Sequence, residues 1–97
     1  MTTDKATAAE IDDFLESHSE WTVVDNSLER VFSFRNFREA FGFMTETAFI
    51  AERKNHHPDW SNVYNRVTVQ LKTHDAGGIT AKDFDVARQM ELIASRR

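Results

Sequence analysis

Cysteine is absent from this chain. That removes disulfides, thiolate zinc sites and thiol nucleophiles together, and it fits a reducing compartment. Proline occurs once and glycine three times, too few for a linker-like or low-complexity segment, so the chain is expected to fold throughout. No apolar stretch reaches membrane-spanning length and no signal-peptide core is present; the expectation is a soluble, cytoplasmic protein with no membrane partner. A basic surplus is lacking too: 12 Lys and Arg stand against 16 Asp and Glu, a net charge of −4. Without a basic run or an aromatic-basic platform, direct nucleic-acid binding is not expected.

What is present suits one small core. The 97 residues are 40% hydrophobic and include eight Phe and two Trp, which predicts a single domain over 1–97, with residues 1–6 frayed. Three helices can be placed from caps and spacing. Thr7 and Glu10 form a capping box ahead of Ile11, Phe14 and Leu15, giving a short helix that ends near His18. Asn36 and Glu39 repeat the pattern, and at 100° per residue Phe37, Phe41, Met44, Ala48 and Ala51 fall in one sector, predicted to face the core. Ala40, Phe43, Thr47 and Ile50 form an adjoining stripe, so the apolar face is wide enough to pack against a second subunit as well. Thr80 and Asp83 make a third box, flanked by Ile79 and Phe84 as a hydrophobic staple, opening a helix from about Ala81 to the C-terminus.

Strand signals lie between the helices in two pairs. Trp21–Val24 and Leu28–Phe34 flank the turn residues Asp25, Asn26 and Ser27, as in a hairpin. After Pro58, Ser61–Tyr64 is a short strand candidate, and Val67, Val69 and Leu71 alternate with Thr68, Gln70 and Lys72, a period that carries His74 into the polar series. The order α-ββ-α-ββ-α has no parallel crossover signature. It predicts an α+β fold, a single domain with a four-stranded antiparallel sheet and helices packed on one face.

Three of the four histidines, His56, His57 and His74, fall within nineteen residues, and imidazole is the side chain suited to both giving and taking a proton near neutral pH. Glu52 and His56 are four apart and share one side if the second helix reaches that far. Pro58 disfavours helix at His57, so the chain turns there and the two neighbouring histidines splay apart. Several imidazoles in one place suit a reaction that delivers one proton while removing another, and elimination of water is such a reaction. Plainer readings stand beside this one. Histidines next to a turn are common on surfaces. Glu52, His56, His57 and His74 are acceptable zinc or iron ligands, although neighbouring histidines at a turn are awkward for one tetrahedral ion. Asp83 is accounted for by helix capping alone. Trp60 and Tyr64 can be core aromatics or stacking partners for a planar heterocycle. Gly77-Gly78 reads as a turn, since no phosphate-loop pattern surrounds it.

The combination Glu52-x-x-x-His56-His57-Pro58, then Tyr64, Thr73-His74 and Asp83, resembles the active-site pattern of the pterin-4a-carbinolamine dehydratase family. Trp21, Phe32–Phe37, Asn62–Asn65 and Gly78-Ile79-Thr80 extend the resemblance from Trp21 to about Ile93. It implies a small α+β enzyme that dehydrates 4a-hydroxytetrahydropterin to quinonoid dihydropterin without a metal or other cofactor, in support of tetrahydrobiopterin recycling. The resemblance implies His56 and His74 as acid-base groups, His57 as a mainly substrate-binding member of the catalytic set, and Glu52, Trp60 and Asp83 as substrate-binding. It also implies a pterin as the small-molecule partner, a functional link to phenylalanine hydroxylase, and a homodimer or homotetramer. Relatives on this fold also act as dimerisation cofactors or assembly factors, so a non-catalytic dimerisation, assembly or coactivator module is the alternative. Two positions depart from the pattern: Asn55 where many members carry Asp, and Lys82 where others carry Arg, which loses a bidentate donor.

Overall fold

The computed structural model describes residues 4–97. Helix α1, Ala8–Ser17, begins at the expected capping box: Thr7 Oγ1 accepts the Glu10 N–H at 3.1 Å and Glu10 Oε1 accepts the Thr7 N–H at 2.8 Å. Of the segment expected to fray, residues 1–3 lie outside the described residues, while Lys5 bridges to Thr80 and the Ala6 N–H donates to Ile79 O at 2.8 Å.

Strands β1, Thr22–Val24, and β2, Ser27–Ser33, follow as a hairpin. Its two-residue turn is Asp25-Asn26, both at positive φ (50° and 64°), the conformation that matches strand twist and that short Asx side chains tolerate. Helix α2 spans Phe37–Lys54, and β3, Asp59–Val63, and β4, Arg66–Leu71, form a second hairpin. A 3₁₀ turn, His74–Ala76, leads to α3, Ala81–Ser95. All strand pairs are antiparallel in the order β1-β2-β4-β3, and the helices lie on one face, as expected. His74 is a correction, because β4 stops at Leu71 and His74 opens the 3₁₀ turn rather than continuing the strand's polar series.

Alternation along the strands builds the core. Leu28 and Phe32 from β2, with Val67, Val69 and Leu71 from β4, are buried against Phe14, Phe43, Phe84, Met90 and Ile93 from the helices. Trp21 stands edge-on to Phe32 at 6.0 Å and donates its indole N–H to Glu91 Oε2 at 2.8 Å. Arg30 Nε meets the same carboxylate oxygen at 2.6 Å, tying α3 to the sheet. Burial works against the charged form of Glu91, but the Arg30 hydrogen bonds and charge, with help from Trp21, outweigh it and hold the carboxyl below its usual range.

The buried face of α2 is only partly the predicted one: Ala51 is buried and Met44 packs partly buried against the core, as expected, but the centre of the face belongs to the adjoining stripe. Ala40, Phe43, Thr47 and Ala51 are buried, whereas Phe37 and Phe41 are 49% and 55% exposed and lie in a tilted pair, ring centres 5.7 Å apart, on the outer side. Both stripes have helical period, so periodicity cannot rank them. The inner stripe wins through its small residues: Ala40, Thr47 and Ala51 let α2 approach its neighbours closely, while Phe43 fills the space against Phe32 and Phe34 at 4.7 and 5.0 Å. Burying one such Phe contributes about 1.5–3 kcal/mol.

Candidate active site

The end of α2, the start of β3, the end of β4, the 3₁₀ turn and the start of α3 converge around a cleft of about 440 Å³. That falls in the usual range for small-molecule sites, roughly 300–1,000 Å³. Other concavities of about 280–410 Å³ exist, so chemistry rather than size marks this one. His56, His57 and His74 all line it.

The chain reaches this arrangement through the end of α2. Asn55 adopts the left-handed conformation (φ 52°, ψ 43°) and closes the helix, with the His56 N–H returning to Ala51 O at 3.0 Å. Asn is the residue after Gly that best tolerates this cap, which accounts for an amide at this departure from the family pattern. The helix therefore stops before His56, and Glu52 does not share a side with it. From the cap, the His56 side chain turns inward, 11% exposed, and that of His57 outward, 59% exposed.

Each of the three imidazoles faces its own carboxylate. His56 Nε2 lies 2.6 Å from Asp83 Oδ1, and Asp83 is wholly buried behind it. His57 Nε2 lies 2.9 Å from Glu52 Oε1 at the rim. His74 Nε2 lies 3.7 Å from Asp59 Oδ2, an ion-pair separation too long for a hydrogen bond. Asp83 also caps α3, its Oδ2 accepting the Thr80 N–H at 2.9 Å. One carboxylate thus serves both the helix and the histidine. Among the described residues, no three His, Asp or Glu side chains converge as a metal site.

A family model for pterin 4 alpha carbinolamine dehydratase matches residues 4–93. The chain belongs to the pterin-4-alpha-carbinolamine dehydratase family. A Solibacter usitatus relative, whose name assigns it provisionally to these dehydratases, is 54% identical over 95 residues, covering 98% of this chain and 99% of that protein. One from Rhizobium etli, named in the same provisional way, is 58% identical over 79 residues, 79% of this chain and 78% of that protein. The crystal structure of a protein from Brucella melitensis described as a transcriptional coactivator/pterin dehydratase superposes with a TM-score of 0.90 at 42% identity, covering 94% of this chain and 99% of that one.

Of the residues through which the chain resembles the dehydratase family, Glu52, His56, His57, His74 and Asp83 gather in or against the cleft. Trp60 and Tyr64 do not line it. Trp60 pairs with Val69 on the helix-covered face and packs half-buried against the core. Tyr64 sits in the β3–β4 turn, 62% exposed at φ 50°, five residues beyond Asp59 and so roughly 16 Å along the strand. The sequence did not single out Asp59, Lys72 and Asp75 as parts of the cleft wall, whereas Thr73, quoted with His74 in the family pattern, does line it. A signal for Asp59 existed: an antiparallel β3–β4 hairpin brings the start of β3 beside the end of β4, and the register pairs Asp59 with Gln70.

Proposed function

We propose that the chain dehydrates 4a-hydroxytetrahydropterin to quinonoid dihydropterin and water by histidine general acid/base catalysis. The observation that carries this reading is the set of three imidazoles around one cleft, each backed by a separate carboxylate. The reaction needs one proton delivered and one removed. The C4a hydroxyl leaves as water once it is protonated, and loss of the N5 proton frees the electron pair that forms the C4a=N5 bond as C4a–O breaks. His56 and His74 are the pair that exchanges these protons: His56, held by Asp83, and His74 from the 3₁₀ turn, both lining the cleft. His57 anchors the pterin at the rim, with Glu52 orienting its ring. Asp83 acts on the pterin through His56, and Trp60, next to Asp59 on β3, is the aromatic surface proposed to lie against the pterin ring. No step needs a metal or other cofactor.

On this reading the chain is a cytoplasmic hydro-lyase that supports tetrahydrobiopterin recycling beside a hydroxylase such as phenylalanine hydroxylase. The exposed Phe37–Phe41 stripe of α2 supports assembly into a homodimer or homotetramer. The same stripe, with the name of the Brucella neighbour, favours a second reading: a dimerisation, assembly or coactivator module in which the cleft is unused. Purified protein added to a phenylalanine hydroxylase reaction separates the two. Faster decay of the 4a-carbinolamine absorbance supports the dehydratase, and no effect at micromolar protein rejects it.

A further inference from the structure

Behind His56, Asp83 joins a buried polar chain whose two threonines the reaction as proposed leaves without a role. Thr73 is 7% exposed, and Thr80 and Asp83 are wholly buried. Asp83 Oδ2 accepts the Thr73 hydroxyl and the Thr80 backbone N–H, each at 2.9 Å. The two threonine hydroxyl oxygens lie 2.7 Å apart, and Thr80 Oγ1 accepts the Lys82 N–H at 3.2 Å.

The direction of these bonds follows from counting protons. An ionised carboxylate only accepts, and a hydroxyl has a single proton to give. The Thr73 proton is committed to Asp83, so the Thr80 hydroxyl must donate to Thr73. Donors therefore run one way, from the Lys82 N–H to Thr80, from Thr80 to Thr73 and from Thr73 to Asp83, each bond polarising the next. With Oδ2 filled by two donors, Oδ1 is left for His56 at 2.6 Å. An acceptor there requires the proton on Nε2, and Nδ1, which has no hydrogen-bond partner among the described residues, is left for the cleft.

We propose that Thr73 and Thr80 are positioning residues for the reaction: they hold the Asp83 carboxylate in one orientation and, through it, His56 in the Nε2–H tautomer, so that Nδ1 exchanges the substrate's proton. The inference rests on the dehydratase reading for its catalytic meaning, though not for its geometry. Thr73 is itself pinned, its N–H donating to Gly78 O at 2.9 Å and its carbonyl accepting the Ala76 and Gly77 N–H groups at 3.1 and 3.0 Å. The residue that orients Asp83 thus also launches the turn that carries His74, and one threonine links the two proposed proton carriers.

Long-range ¹H–¹⁵N spectra of the labelled, full-length protein read the His56 tautomer without reference to activity. The wild type is expected to show Nε2–H. In Asp83→Asn, the amide oxygen takes the Thr73 and Thr80 donors, so the amide NH₂ faces Nε2 and His56 switches to the Nδ1–H tautomer. Adding Thr73→Val removes one of the two donors that hold the amide, and both tautomers appear. In the decay assay, Thr73→Val lowers kcat about tenfold with KM within about twofold, and Thr73→Ser restores it. A folded Thr73→Val with wild-type kcat overturns the proposal, as does an Nδ1–H tautomer in the wild type. If Thr73→Val does not fold, Asp83→Asn alone decides, and an unchanged tautomer there overturns it. Absence of dehydratase activity in the wild type rejects the functional reading, while the spectra still decide the positioning claim.

Discussion

Replacing Asp83 with alanine strips three donors of their acceptor at once: His56 Nε2, the Thr73 hydroxyl and the Thr80 N–H. Two of these donors belong to buried threonines that water does not reach, and each buried donor left unpaired is penalised by about 1–3 kcal/mol. The Thr80 N–H bond is also the return contact of the α3 capping box, so its loss, within that penalty, loosens the helix terminus as well. Against this, the variant no longer buries a carboxylate, which offsets part of the loss. The balance is a destabilisation of about 3 kcal/mol, the lower end of the range for breaking a buried pair. For a domain of this size each kcal/mol moves Tm by about 4–8 °C, so a melt followed by circular dichroism at pH 7 should fall by about 12–24 °C. Asp83→Asn should lose less, because its amide oxygen still serves Thr73 and Thr80. A fall of under about 4 °C for Asp83→Ala would refute the view that this carboxylate holds the α3 terminus and His56 together.

Three further outcomes are expected. The Glu91 carboxyl is held below its ordinary value of 4.5, so its stabilising effect is present above that value and is lost as pH falls through the lower folded one; Glu91→Gln should unfold at lower urea than the wild type at pH 7, and the two midpoints should converge well below pH 4.5. Asn55 sits at φ 52°, so Asn55→Ala should lower stability by about 1 kcal/mol while Asn55→Gly leaves it nearly unchanged; equal urea midpoints for Ala and Gly would show that the left-handed cap is unimportant. Phe41→Glu places a charge on the exposed stripe of α2, so light scattering should report a smaller assembly than the wild type with the melt preserved; an unchanged mass would exclude that stripe as the interface.

Local rules made most of the architecture legible. Capping boxes at Thr7 and Thr80 and the Asp25-Asn26 turn depend on near neighbours in the chain, and they locate α1, α3 and the first hairpin. The inward face of α2 depends on what packs against it: of two stripes of equal period, the Phe37–Phe41 sector was expected inward, yet Phe43 of the adjoining stripe packs against Phe32 and Phe34. The candidate site was legible in part for the same reason. His56, His57 and His74 could be named from spacing, but their partners could not. Asp83 is 27 residues from His56, and Asp59 meets His74 only through the hairpin register. Glu52 was matched with the wrong histidine because the left-handed cap at Asn55 ends the helix before His56. Local spacing read Asp83 as a cap, which it is, and only the family resemblance gave it a place at the substrate; its second oxygen, aimed at His56, has no local signature.

The central claim is that His56 and His74 exchange protons with a 4a-carbinolamine. The most direct measurement is the decay of that intermediate's absorbance with the wild type and with His56→Ala and His74→Ala, each checked for folding. The account predicts acceleration by the wild type and a loss of roughly 10²-fold or more in each folded variant, the scale of general acid–base catalysis. Wild-type protein that leaves the decay unchanged, or variants that accelerate it as the wild type does, would contradict the account.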